Sequence, residues 1–170
     1  MDELFSRQAL APRRRACGDA IIPALIPAWE ILNAVRVKLR DLADARRVHL
    51  DFRMGTGAVC GDECRLAEAL ESLVRHAIES CSSGGFVIVV SRLTADGGQE
   101  WMVHDSGPGL VLQLLSWVGV PDLSHHRRSR RVAIARDIFR SQGGLLRVES
   151  ASVWGTLVSV SLPGREDLVP

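Results

Sequence analysis

The stretch Asp62-Glu63-Cys64-Arg65-Leu66-Ala67-Glu68-Ala69-Leu70-Glu71-Ser72-Leu73-Val74-Arg75-His76-Ala77-Ile78-Glu79-Ser80 places Leu66, Ala69, Leu70, Leu73, Val74 and Ala77 at intervals of one, three and four. That spacing predicts an α-helix with one buried face, and Glu68, Glu71, Arg75 and Glu79 fall on its other side. The run Ser82-Ser83-Gly84-Gly85 stops it. Upstream, Val48, Leu50, Phe52 and Met54 alternate with His49, Asp51 and Arg53, the period of a strand with one wet face, and Gly55 and Gly57 end it. Downstream, residues 86–91 form a β-branched run, and Asp96-Gly97-Gly98 is a hairpin signal leading into Trp101-Met102-Val103-His104-Asp105. Two adjacent antiparallel strands follow.

Working outward, Ile31, Leu32, Val35, Leu39 and Leu42 recur at helical spacing, with Arg36, Lys38, Arg40 and Asp41 between them. Pro23 and Pro27 donate no N–H, so they fit before or within the first turn of this helix. Residues 132–142 predict a further helix closed by Gly143-Gly144. Residues 146–150 and 156–162 are the last two strands, turned around Trp154-Gly155. The expected order is helix, strand, helix, two strands, a long irregular stretch, helix, two strands. This predicts an α+β fold: a two-layer α/β sandwich with a mixed, mostly antiparallel sheet and helices on one face. Residues 1–18 show no sustained period and are expected as a flexible arm, 19–163 as one domain, and 164–170 as a tail.

A chain of 170 residues suits one core rather than two. With 46% hydrophobic and 24% charged residues it is globular in composition, which argues against general disorder. The net charge of +1 selects no partner class, although arginine clusters at residues 13–15 and 127–131. Nucleic-acid binding is disfavoured: no reader motif is present, and no aromatic platform accompanies the second cluster. Cys17, Cys60, Cys64 and Cys81 lack zinc spacing and read as reduced thiols, with a Cys60/Cys64 redox pair as the alternative. No stretch has the apolar length of a membrane span or a signal-peptide core, so a soluble cytoplasmic domain is expected.

Residues 61–78 resemble the N-box helix of the histidine-kinase and Hsp90-like ATPases. Asp105-Ser106-Gly107-Pro108-Gly109-Leu110 resembles the first glycine box of the same family, and Gly143-Gly144-Leu145 through Leu162-Pro163 its closing hairpin. The likeness runs through residues 19–163 in one consistent order. It implies the Bergerat-type sandwich of the ATP-binding domain of bacterial sensor histidine kinases. It also implies ATP and Mg²⁺ as ligands, with Asp105 accepting from the adenine amino group and Gly107 and Gly109 allowing close backbone approach. An ordinary strand-to-loop turn is the plainer reading of Asp-Ser-Gly-Pro-Gly taken alone.

Two parts of the family pattern are altered. His76 stands where the resemblance expects the magnesium-binding asparagine, with Ser72 one turn earlier, and imidazole suits Mg²⁺ poorly. His76 reads either as a phosphate contact or as a partly buried structural histidine. The second glycine box aligns with Arg127-Arg128-Ser129-Arg130-Arg131-Val132, so none of its glycines is kept. Arg127 and Arg131 could instead grip phosphate oxygens, or this loop could face solvent or an acidic partner. No acceptor hairpin precedes residue 19, so the histidine substrate is expected on a separate helical domain or a longer parent chain.

The resemblance and the departures together imply a degenerate ATP-binding domain of two-component signal transduction. In this reading it is a pseudo-ATPase, a regulatory or partner-binding module with weak or lost nucleotide binding. The alternative is an active catalytic domain transferring phosphate to that histidine. Implied partners are a helical phosphoacceptor domain or another two-component protein, with homodimerisation through a partner domain. The contact is expected near residues 125–131 or on the exposed face of the first helix.

Overall fold

Pro27 marks the place where the chain turns from extended to helical, its ring holding φ at −57° just ahead of the first helical residue. In the computed structural model, which describes residues 24–109, 127–151 and 154–164, β1 (Ala24–Pro27) runs directly into α1 (Ala28–Arg46). The helix buries Ile31, Leu32, Val35 and Leu39 of the predicted stripe, but its last buried member is Ala43 rather than Leu42, which is half-buried against the core. It ends at Arg47, whose left-handed backbone (φ 55°) turns its N–H onto the carbonyls of Ala43 and Asp44.

β2 (His49–Arg53) and β3 (Ala58–Gly61) follow, and β3 pairs antiparallel with β1 in a small separate sheet. The sequence did not predict this pair. Each strand has only four residues, too few for a period-two pattern to build up.

α2 (Glu63–Ser80) opens on Asp62, whose Oδ1 accepts from the Arg65 N–H at 3.1 Å. Leu66, Leu70, Leu73 and Ala77 are all at most 2% exposed, so the predicted inner face is the buried one. The strands beneath are β4 (Phe86–Leu93) and β5 (Gln99–Asp105), joined by the expected hairpin. α3 (Arg127–Ser141) leads to β6 (Leu145–Ala151) and β7 (Gly155–Leu162).

The main sheet has the order β2-β4-β5-β7-β6; β2 and β4 are parallel and the other neighbours antiparallel. The parallel pair needs a crossover, and the segment carrying α2 supplies it. Val87 and Val89 of β4, Trp101 and Val103 of β5 and Val158 and Val160 of β7 are buried in the same core as the helices. Trp101 meets Phe139 of α3 edge to face, with ring centroids 6.1 Å apart. This is the two-layer α+β sandwich that the pattern predicts.

One boundary is corrected: residues 127–131 are not a loop but the opening turns of α3. Arginine is a good helix former and the segment has neither glycine nor proline, so the helix extends back through it. The expected arm at 1–18, residues 165–170 of the expected tail, and His125 and His126 lie outside the described residues. Among those described, no helix is long and apolar enough to cross a membrane.

Candidate functional site

Alternation along β5 turns Gln99, Trp101, Val103 and Asp105 toward the helices. Three of these positions are uncharged. Asp105 is the last, a carboxylate only 3% exposed at the point where the strand ends. Such a group needs hydrogen-bond donors. The Gly107 N–H donates to its Oδ1 at 2.9 Å, and the Thr156 N–H of β7 donates as well. Burial nevertheless pushes the Asp105 carboxyl above its ordinary value, outweighing those donors and the nearby His104.

The turn after Asp105 is tightly constructed. Ser106 donates its N–H to the Phe86 carbonyl at 3.1 Å, and its Oγ accepts from the Phe86 N–H at 2.9 Å. This pair of bonds continues the β4–β5 ladder one step past Asp105. Cys81 packs alongside with Sγ 3.4 Å from the Phe86 carbonyl oxygen, and burial pushes its thiol pKa up. A Cβ on Gly107 would lie 2.8 Å from Asp105 Oδ1 and 3.1 Å from the Ser80 carbonyl oxygen, so only glycine fits between strand and helix. Gly109 takes a positive φ of 76°. Gly107 is thus in close contact with strand and helix, and Gly109 takes a left-handed backbone that favours glycine.

α2 forms one wall of this end of the sheet. Ser72, His76 and Ser80 follow one another at helical spacing, and the Ser80 hydroxyl donates to the His76 carbonyl at 2.9 Å. His76 is buried, 6% exposed, and Ser72 is half-buried. Among the described residues, no group of three or more His, Cys, Asp or Glu side chains is arranged to hold a metal ion. Among the described residues, Cys60, Cys64 and Cys81 are in no disulfide.

The start of α3 meets the last turn of α2. Arg131 Nη1 donates to Glu79 Oε2 at 2.5 Å, joining the first turns of α3 to the last turn of α2. Arg46 of α1 reaches the same place, donating to the Glu79 carbonyl at 3.3 Å. Partial burial alone would raise the Glu79 carboxyl, but the Arg131 hydrogen bond and charge, with Arg46 and Arg75 nearby, hold it below its ordinary value. Arg127 is the first residue of α3; its side chain lies outside the described residues.

Gly107 thus brings the end of β5 against Ser80 at the last turn of α2, where Arg131 also reaches Glu79, while His76 and Ser72 lie one and two turns further back along that helix. Sequence reasoning missed three members of this end: Glu79, Gly155 and Thr156. Glu79 carried a usable signal, since it lies three residues after His76 on the same helix. A Cβ on Gly155, which has φ 91°, would lie 1.8 Å from the Asp105 carbonyl oxygen, so this glycine is what lets β7 lie against the end of β5.

No family profile matches the chain. Over 150 residues it is 30% identical to the signal transduction histidine-protein kinase/phosphatase MprB of Mycobacterium leprae, covering 80% of this chain and 29% of that protein. It is also 33% identical over 150 residues to peptide chain release factor 1 of Dinoroseobacter shibae, covering 84% of this chain and 38% of that one. The chain spans about a third of the length of these curated relatives. The two names disagree, and the solved structures add the fold. A solved structure of mycobacterial sensor histidine kinase MprB matches with a TM-score of 0.74 at 23% identity, over 85% of this chain and 99% of that one. Full-length ShkA in complex with AMPPNP matches with a TM-score of 0.75 at 17% identity, over 87% of this chain and 32% of that one. The chain therefore has the histidine-kinase/Hsp90-like ATPase (GHKL) fold, that of the catalytic domains of sensor histidine kinases.

Proposed function

We propose that this chain is an adenine-recognising domain of two-component signalling that serves mainly as a regulatory or partner-binding module. The observation that carries the reading is the buried Asp105 carboxylate, fixed by the Gly107 and Thr156 N–H groups at the end of β5. A carboxylate has about four acceptor positions, so two such donors leave capacity for an exocyclic amine. Support for an adenine ligand also comes from the likeness to ShkA, which was solved with AMPPNP.

The residues present fit ATP unevenly. Asp105, Gly107 and Gly109 suit its adenine end. The donor set at His76 does not fit Mg²⁺: the nitrogen ligand is buried, Ser72 and Ser80 offer neutral hydroxyls, and the Glu79 carboxylate is engaged with Arg131. No phosphoryl-transfer step through the metal is derived. The arginines of α3 offer side chains where the family pattern has backbone amides, and a guanidinium grips phosphate oxygens but does not let the backbone approach them closely. Autonomous catalysis is accordingly impaired in this reading, and the cytoplasmic location and a helical phosphoacceptor partner belong to it too. The sequence likeness to the kinase/phosphatase MprB favours the active-kinase alternative.

The purified domain, mixed with ATP, Mg²⁺ and a dimeric histidine-bearing helical hairpin, is expected to give no phosphohistidine above background, while adenosine binds in calorimetry and depends on Asp105. Robust Asp105-dependent phosphorylation would establish the active kinase instead.

A further inference from the structure

β6 ends the main sheet: β7 pairs with one of its edges, and among the described residues no strand or backbone hydrogen bond meets the other. Alternate residues of such a strand direct their N–H and C=O groups away from the sheet, where another strand can take them up. Sheet edges are usually blunted by lysine, proline or a bulge. β6 has none of these, since its register with β7 runs unbroken from Leu145 opposite Ser161 to Ala151 opposite Gly155. Leu146 is buried and Val148 packs on the core, so Arg147 and Glu149 stand exposed on the sheet face away from the helices. They lie opposite Ser159 and Leu157 of β7 and form no ion pair among the described residues. β2, at the other edge, carries opposite charges at the same spacing, but there Arg53 Nε closes on Asp51 Oδ2 at 3.0 Å.

We infer that the free edge of β6 is a self-association surface whose partner is a second copy of this chain, paired antiparallel about a two-fold axis with Val148 opposite its own equivalent. Charge selects that register. It sets Arg147 of each copy against Glu149 of the other, so the symmetry makes two complementary cross-strand pairs. Sliding the strands by two residues in either direction sets Arg147 against Arg147 or Glu149 against Glu149, and like charges directly opposite repel. The favoured pairing also brings Val148 beside its equivalent at the margin of both cores and joins the two five-stranded sheets into one. Asp105 takes no part in this contact, which stands or falls apart from the adenine reading. A single seven-residue strand is a small interface, so the dimer is weak and, with its ion pairs at the rim, sensitive to salt.

The experiment is sedimentation of the 170-residue chain at low salt over increasing concentration, with Arg147→Glu, Glu149→Arg and an equimolar mixture of the two variants. The wild type should dimerise with a Kd of about 100 µM. Each variant alone puts like charges opposite one another and should self-associate at least about tenfold more weakly. In the mixture every charge of one variant meets its opposite on the other, so a heterodimer should form within about threefold of the wild-type affinity. A wild type still monomeric at about 1 mM, variants that dimerise as the wild type does, or a mixture that stays monomeric overturns the inference. Hydrogen exchange of the wild type decides the matter without any variant: amides in residues 145–151 should slow as concentration rises while those of β2 do not change, and unaltered exchange in β6 overturns it equally.

Discussion

The two walls of the site are built from different materials. Around Asp105 the contacts are made by backbone: the N–H groups of Gly107 and Thr156, the ladder bonds of Ser106 with Phe86, and two glycines with no room for a Cβ. Around Arg131 they are made by the tips of long side chains, Arg131 to Glu79 and Arg46 to the Glu79 carbonyl. Backbone contacts are fixed once the sheet is formed, whereas a guanidinium on a flexible stem can trade one anion for another. The Asp105 wall is thus preset, and the Arg131 wall is exchangeable.

The sharpest way to break this contrast is Gly155→Ala. A Cβ there meets the Asp105 carbonyl at 1.8 Å from a backbone with φ 91°, so the variant is expected to lose more than about 3 kcal/mol or to fail to fold. Near-native behaviour in urea unfolding would show that the β7 end is not rigidly placed. Next is Leu70→Ala, on the inner face of α2 beneath the site. With Leu70 fully buried, it should cost about 2–5 kcal/mol, and a change within measurement noise would contradict that placement.

Asp105→Asn separates binding from stability. It should weaken adenosine binding about tenfold or more by replacing a charged acceptor. Stability should not fall, because Asn Oδ1 can still accept from Gly107. The sign of the pH effect is the same. Since burial raises the folded carboxyl above its ordinary 3.8, the folded state holds the proton more tightly than the unfolded chain does. Asp105 therefore adds stability that is fully present below the unfolded value and lost as pH rises through the folded one. Thermal unfolding of wild type and Asp105→Asn across that acidic range should show the wild type losing ground as pH rises. A wild type that gains instead would mean the donors outweigh burial.

The smallest effect is expected on the exchangeable wall. Arg131→Gln should change stability by about 1 kcal/mol or less, as for other partly exposed ion pairs. A loss of several kcal/mol in denaturant unfolding would make Arg131 a structural element of the fold and erase the contrast.

Much of the preset wall was legible in the sequence. The spacing of Leu66, Leu70, Leu73 and Ala77 identified the buried face of α2, and the position of Asp105 at the end of a hairpin strand followed from Asp96-Gly97-Gly98 and the β-branched runs around it. Gly155 was seen as a turn residue, but its contact with Asp105 depends on β7 lying next to β5, which no local pattern specifies. The exchangeable wall was mostly illegible. Arg131 and Glu79 are 52 residues apart, and the arginine run reads as a loop in the sequence, whereas the helix packed through Val132, Ala135 and Phe139 extends back through it. The β1–β3 pair was lost for its brevity.

Gln142, just past the end of α3, accepts from the Asp62 N–H at 2.8 Å and so fastens that end to the start of α2, opposite the Arg131–Glu79 contact. α3 is thus tied to α2 at both ends, by a buried amide at one and a partly exposed ion pair at the other, with Val132, Ala135 and Phe139 packed into the core between them, so the register of the two helices is set by one polar contact at each end.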